Sequence, residues 1–309
     1  MARLNKPKRE EAKFKFSCAL HAFVARLSEH VSDEGGEWTV KGFIDIYKNI
    51  YTISSDTKIV SKILEIHLFP RILQFAEESK FSIVLAKEQN WYPDFSFISQ
   101  ENPRIKFAVD IKTTYRDPNF PGHVNGFTLG SHGAYFKNRN STKNIQFPYG
   151  EYTGHFCLGI IYSRTDSKNF SESEIINVKE LNFEKDEPQR IGRRKVTKVE
   201  NLRSITSVIK DFQFFVCEKW QLANDRQGSG NTANIGSITF IEDILKGNGV
   251  FAILGEDWFD EYWMNYGVTT MKKDGKAVVI KRIEDYIDFK GGDKKLIVPV
   301  VIKKKTSCE

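Results

Sequence analysis

The sequence predicts an α/β (or α+β) fold, a central mixed β-sheet flanked by helices. Three observations predict it. Segments around residues 94–112, 156–162 and 212–217 carry the period-two alternation or apolar run of strands. Stretches 14–27 and 57–73 carry apolar residues at helical spacing. Strand and helix signals interleave along the chain without an internal repeat.

At 309 residues the chain is long enough for a large core. We read it as one domain over 1–309, with a charged tail over 1–13 and an insertion over about 163–212. The 46 basic and 40 acidic residues leave a net charge of +6, which suits a polyanionic partner without establishing one. Cys18, Cys157, Cys217 and Cys308 are scattered and form no CxxC pair, as expected of reduced thiols in a cytoplasmic protein. The six histidines form no zinc-ligand spacing. No apolar run reaches the 18–20 residues of a membrane span, and the N-terminus lacks the apolar stretch of a signal peptide.

The elements follow in order. Phe14, Phe16, Ala19, Leu20, Phe23, Val24 and Leu27 outline a first amphipathic helix, broken by Glu34-Gly35-Gly36. Trp38 to Ile53 is rich in aromatic and β-branched residues and reads as strand or mixed structure. Ser54-Ser55-Asp56-Thr57 is a helix N-cap cluster. The helix after it is expected to turn Ile59, Ile63, Ile66 and Leu73 toward the core, with Pro70 kinking or restarting it. In Ile105 to Lys112 the odd positions are apolar, and Asp94 to Ile98 alternates with Phe95 and Phe97 as its core pair. Ser99 to Arg104 supplies turn residues. Further strands are expected near 127–129, 156–162 and 212–217. A helix is expected over 258–266, then a hairpin from Lys272 and a basic end.

The chemistry centres on Pro93-Asp94 and Asp110-Ile111-Lys112. A hairpin folded about Asn102 places Asp94 opposite Asp110, where paired Cβ atoms lie about 4.5–5.5 Å apart. Lys112 projects on the same face as Asp110. Two carboxylates that close repel unless a cation joins them or one takes a proton. Mg²⁺ suits such a site, because it takes carboxylate and water oxygens and leaves room for phosphate. Such a pattern also occurs on solvated strand faces. Glu65 lies seven residues after Lys58, on one helix stripe with Ser61 and Lys62. It could lean toward the acids, although the spacing is described better by a surface ion pair with Lys62. The segment Gly228-Ser229-Gly230-Asn231-Thr232-Ala233-Asn234-Ile235-Gly236 is a glycine- and asparagine-rich loop. Asparagine can bond adenine N6 and N7, and Thr or Ala methyls can touch thymine. An ordinary surface turn has the same composition, and the loop is not a phosphate-binding Walker motif.

Taken together, these segments resemble the EcoRV-type restriction endonucleases, type II enzymes of the PD-(D/E)xK nuclease superfamily. The resemblance rests on SDTK at 55–58, Glu65, QNWYPDF at 89–95, VDIKTTY at 109–115 and FTLG at 127–130. It continues through TKNI at 142–145, GSGNTANIGSI at 228–238 and YWMNY at 262–266. It covers roughly 39–160 and 213–266, and implies the restriction-endonuclease-like fold.

The resemblance implies roles residue by residue. Asp94, Asp110 and the carbonyl of Ile111 bind metal, Lys112 is the catalytic lysine, and Glu65 is an auxiliary catalytic acid that also serves the metal. Gln89 and Asn90 fall in a minor-groove loop, where Glu88 stands in place of the family's glutamine. Gly228, Ser229, Gly230, Asn231, Thr232, Ala233 and Asn234 form the major-groove loop, where Ala233 stands in place of threonine. Lys58, Thr113 and Thr114 face phosphate. The implied function is Mg²⁺-dependent hydrolysis of double-stranded palindromic DNA by a homodimer, at GATATC with blunt ends and 5′-phosphate products. Mn²⁺ substitutes, Ca²⁺ supports binding without cleavage, and a cognate methyltransferase acts on the same site. The alternatives are a structure-selective or junction-resolving nuclease of the same superfamily, a non-catalytic DNA-binding protein, or a scaffold with no nucleic-acid role.

Overall fold

The computed structural model describes residues 5–88, 90–165, 189–191, 194–198, 205–228, 233–273 and 275–303. It opens with α1 (Lys6–Val24) and α2 (Leu27–Val31), then β1 (Gly42–Ile44), β2 (Asn49–Thr52) and α3 (Thr57–Glu78). The middle of the chain holds β3 (Phe81–Leu85), β4 (Phe95–Ser99), β5 (Lys106–Tyr115), β6 (Thr128–Ser131), α4 (Ala134–Lys137) and β7 (Gly154–Arg164). Next come β8 (Gln189–Ile191), β9 (Arg194–Lys198), β10 (Ile209–Glu218), β11 (Ala223–Gln227) and β12 (Asn234–Ser237). The C-terminal part is α5 (Ile241–Lys246), α6 (Glu256–Asn265), β13 (Thr270–Lys273), β14 (Lys276–Val279) and α7 (Ile283–Lys290).

The organising sheet has five strands in the order β10-β7-β5-β4-β3. Only β5 and β7 pair in parallel, so the sheet is mixed, as expected. Each face carries its own core. On one, Phe107, Val109 and Ile111 of β5 pack with Phe16, Leu20 and Phe23 of α1 and with Leu64, Leu68 and Ile72 of α3. Phe16 stacks on Phe107 with ring centroids 4.1 Å apart. On the other, Ala108 and Cys157 pack with Leu222, Ile235, Phe259 and Trp263. With both faces covered, β5 is buried at every position from Phe107 to Ile111, including the even ones. Two smaller sheets follow, β11-β12-β6 and β1-β2-β9-β8, and β13 pairs with β14. No helix among the described residues is long and apolar enough to cross a membrane.

Three expectations need correction. Of the tail expected over 1–13, the described residues are not a tail, because α1 begins at Lys6, capped by the Asn5 side chain. Lys13 is buried against Glu218 at 2.6 Å and Glu256 at 2.9 Å, and Arg9 donates to the Thr153 carbonyl at 2.8 Å. Charge within the chain itself, far away in sequence, draws this segment onto the fold. Phe14 is exposed, so that helix buries Phe16 and Leu20 and not its first phenylalanine. On α3 the buried stripe is Val60, Leu64, Leu68, Ile72, Phe75 and Ala76, while Ile59, Ile66 and Leu73 are exposed. The helix is apolar on two adjacent stripes, and periodicity alone does not choose between them. Pro70 lies inside the one continuous helix. The expected excursion over 163–212 is described only in part. Within it, β8 and β9 extend the β1-β2 hairpin, and β10 re-enters the central sheet at Ile209.

Candidate active site

The β4–β5 hairpin turns about Asn102, whose carbonyl accepts from Ile105 N at 2.9 Å. Its register pairs Phe95 with Val109 and Phe97 with Phe107. One step further brings Asp94 opposite Asp110. There β4 ends while β5 continues, so from Asp110 to Thr114 β7 is the one strand paired with β5 among the described residues, and Asn125 N closes the far end on the Tyr115 carbonyl at 2.9 Å. Asp94 fills the first place on the open side, its Oδ2 accepting from Ile111 N at 2.7 Å. A central strand thus offers a free edge where a backbone phosphate can approach.

Asp110 Oδ2 is paired with Lys112 Nζ. Neither carboxylate's second oxygen has a partner among the described residues. Burial, and then the neighbouring Asp110, push the Asp94 carboxyl up from 3.8 to about 8, against the pull of Lys112 and the Ile111 N–H. Burial draws the Lys112 ammonium down, but Asp110 and Asp94 outweigh it and raise its pKa. Lys112 is therefore a fixed cation that offsets one carboxylate, while Asp94 keeps its proton up to about pH 8 unless a further cation arrives. Two hard oxygen donors, one of which gives up its proton when a cation arrives, fit a divalent ion such as Mg²⁺. Among the described residues, no three His, Cys, Asp or Glu side chains gather as a metal cluster.

Asp94 borders a cleft of about 570 Å³ lined also by Lys58, Ser61, Lys62, Glu65, Glu88 and Thr113. Asp56 caps α3, accepting from Lys58 N at 2.9 Å and Ile59 N at 3.2 Å, and so presents Lys58 at the mouth. Glu65 faces the cleft but is held by Lys62 at 2.7 Å; both spacing-based readings of it are realised at once. Thr113 lies in the cleft wall. Thr114 is buried, and its Oγ1 meets no partner among the described residues. Ile111 contributes the N–H that orients Asp94. Asn90 is exposed next to the turn Glu88–Trp91, and Gln89 lies outside the described residues.

The glycine-rich segment joins β11 to β12. Its feet are described: Gly228 N donates to the Asn234 carbonyl at 3.0 Å, and His132 N to the Ala233 carbonyl at 2.8 Å. A Cβ on Gly236 would stand 2.6 Å from the Arg226 carbonyl, and one on Gly228 2.8 Å from Thr128 Cγ2. These glycines let the two arms close on each other and on β6. Ala233 is exposed and Asn234 half-buried; Ser229, Gly230, Asn231 and Thr232 lie outside the described residues. Motif reading passed over what lies behind the acids. Tyr92 Oη bonds His155 Nδ1 at 2.9 Å, His155 stacks on Tyr149 at 3.8 Å, and a buried Lys219 sits among these rings. No spacing rule joins these residues; only the fold brings them together.

A family model described as restriction endonuclease EcoRV matches residues 34–192 and 183–291. The type II restriction enzyme EcoRV of Escherichia coli is 34% identical over 256 residues, spanning 82% of this chain and 93% of that enzyme.

Proposed function

The chain belongs to the EcoRV family of restriction endonucleases, and from that premise we infer that it cuts double-stranded DNA at a palindromic site, using the Asp94–Asp110 pair with a divalent metal, Mg²⁺ in the cell. The observation that carries the reading is the open edge of β5, where Asp94 stands opposite Asp110 with Lys112 beside them. Asp94 and Asp110 would hold the ion, whose chemistry there would be to acidify a water and polarise the scissile phosphate. The protein's own groups do the rest. Ile111 N–H orients Asp94, and Asp110 holds Lys112 Nζ in place. The ammonium then faces the charge that builds on the non-bridging oxygens as water attacks. Glu65 adds negative charge at the cleft and steadies Lys62 there.

In this reading Lys58 and Thr113 hold the phosphate from the cleft wall, with Thr114 on the same strand. Residues 228–234 enter the major groove, and Gln89 and Asn90 the minor groove. The site is GATATC, cut bluntly with 5′-phosphate ends, in a cytoplasm where a cognate methyltransferase protects host DNA. Two cuts in a palindrome need two sites related by a two-fold axis, hence a homodimer. The exposed Phe43, Ile44, Ile46 and Tyr47 around the β1–β2 hairpin offer an apolar surface for a second copy.

Digestion of a mapped plasmid with Mg²⁺, Mn²⁺, Ca²⁺ or EDTA, followed by sequencing of the ends, tests all of this. Blunt cuts at GATATC with Mg²⁺ or Mn²⁺, and DNA binding alone with Ca²⁺, are expected. Cleavage at another site would overturn the sequence assignment. Cuts without sequence preference would favour a structure-selective nuclease, and none in any metal a non-catalytic binder.

A further inference from the structure

Lys219 follows β10 directly and opens a short 3-10 turn, Lys219–Leu222, that leads into β11 and the glycine-rich loop. Its side chain turns inward: the residue is 2% exposed, and its Nζ has no hydrogen-bond partner among the described residues. The ammonium instead lies 5.3, 5.1 and 5.4 Å from the ring centres of Tyr92, Phe136 and Tyr149. Cation–π contacts recover only part of what water gave it. A buried ammonium is expensive to keep, so its counter-charge matters.

The nearby acids on one side are already matched. Glu218 is taken by Lys13 at 2.6 Å, Glu256 by Lys13 and Arg9 at 2.9 and 3.1 Å, and Asp260 by Arg139 at 2.9 Å. Three cations answer three acids there, and Lys219 is surplus. On the other side Asp94 and Asp110 share one lysine, so once Asp94 gives up its proton to an arriving cation the pair carries a charge that Lys112 does not match. The sheet joins the two. Asp110, Cys157 and Cys217 are lateral partners on β5, β7 and β10, and Lys219 comes two residues after Cys217. Tyr92, one wall of the cage, is separated from Asp94 by a single proline. Burial pulls the Lys219 pKa down to about 8, while Asp110 is among the groups that hold it up.

We propose that Lys219 is a positioning residue for the metal: a caged ammonium behind Asp110 whose charge limits how tightly the Asp94–Asp110 pair holds a divalent ion. This rests on the reading of that pair as the metal site. Even at the dielectric of water, a unit charge about 6–8 Å from a dication shifts its affinity by roughly five- to tenfold, and a drier path enlarges the shift. The test is Mn²⁺ titration by calorimetry on the DNA-free full-length protein. Lys219→Met fills the cage without charge, and Lys219→Gln is a second neutral variant that keeps a polar end. Lys219→Arg retains the charge, and thermal melts confirm folding. The proposal expects Mn²⁺ to bind roughly five- to tenfold more tightly to the folded neutral variants, with Lys219→Arg near wild type. Unchanged or weaker binding by a folded Met or Gln variant would overturn it, leaving the metal site standing. If wild type binds no Mn²⁺, or binding survives Asp110→Ala unaltered, the metal site and the proposal fall together.

Discussion

Replacing Asp94 with asparagine should stabilise the metal-free protein, and increasingly so as the pH rises. Asp94 ionises near 3.8 when unfolded but near 8 in the fold, because burial and Asp110 oppose its charge. A raised acid pKa means the folded state holds a proton that the unfolded state has lost. Its stabilising contribution is thus complete below about 4 and is lost progressively as pH rises toward 8. Four units correspond to about 5 kcal/mol. The site opens on the cleft, where water screens part of this, so about 2–3 kcal/mol should remain. The amide oxygen of the introduced asparagine can still accept the Ile111 N–H bond, with no charge to desolvate. The assay is urea denaturation in EDTA at pH 5, 7 and 9, comparing wild type with Asp94→Asn. The two should be close at pH 5, with the variant ahead by about 2–3 kcal/mol at pH 9. Saturating Ca²⁺ should close the gap by stabilising wild type alone. An advantage that fails to grow with pH would show that Asp94 is not an acid held against its charge, and the electrostatic case for a metal would fall.

Lys112→Ala should leave DNA binding in Ca²⁺ within a few-fold of wild type while lowering the Mg²⁺ cleavage rate by about 10²–10³, as for loss of one charge-stabilising donor; single-turnover kinetics and filter binding separate the two. Lys13→Met should cost about 3 kcal/mol in denaturant unfolding, because Glu218 and Glu256 lose the buried cation between them. Gly159→Ala should cost about 1–3 kcal/mol and slow cleavage: its Cβ would overlap the Phe215 ring, beside the lateral partner Lys112. Urea melts and a plasmid assay check both effects.

The hairpin was legible because two independent signals agreed: alternation over 105–112 and turn residues centred on Asn102 force the register that the fold adopts. The cap at Asp56, the return strand near 212 and the helix near 258 rest on equally local chemistry. What failed depends on distant partners. Lys6 to Lys13 reads as solvated charge until Glu218, Glu256 and Asp257 are placed beside it. The buried side of α3 could not be chosen between two apolar stripes before the sheet was there to receive one. Glu65 reads as a surface pair from its own helix, and only the fold shows that it shares a cleft with Asp94. Lys219 is one lysine among many in the sequence, and its isolation appears only once the acids around it are paired off.

Central to the proposed reaction is one divalent ion held between two acids at the free edge of β5. Anomalous diffraction from crystals soaked in Mn²⁺ locates such an ion without reference to activity. A peak within coordination distance of both the Asp94 and Asp110 carboxylates, and lost in Asp110→Ala, is the predicted result. Carboxylates that point apart with no peak near either would contradict it.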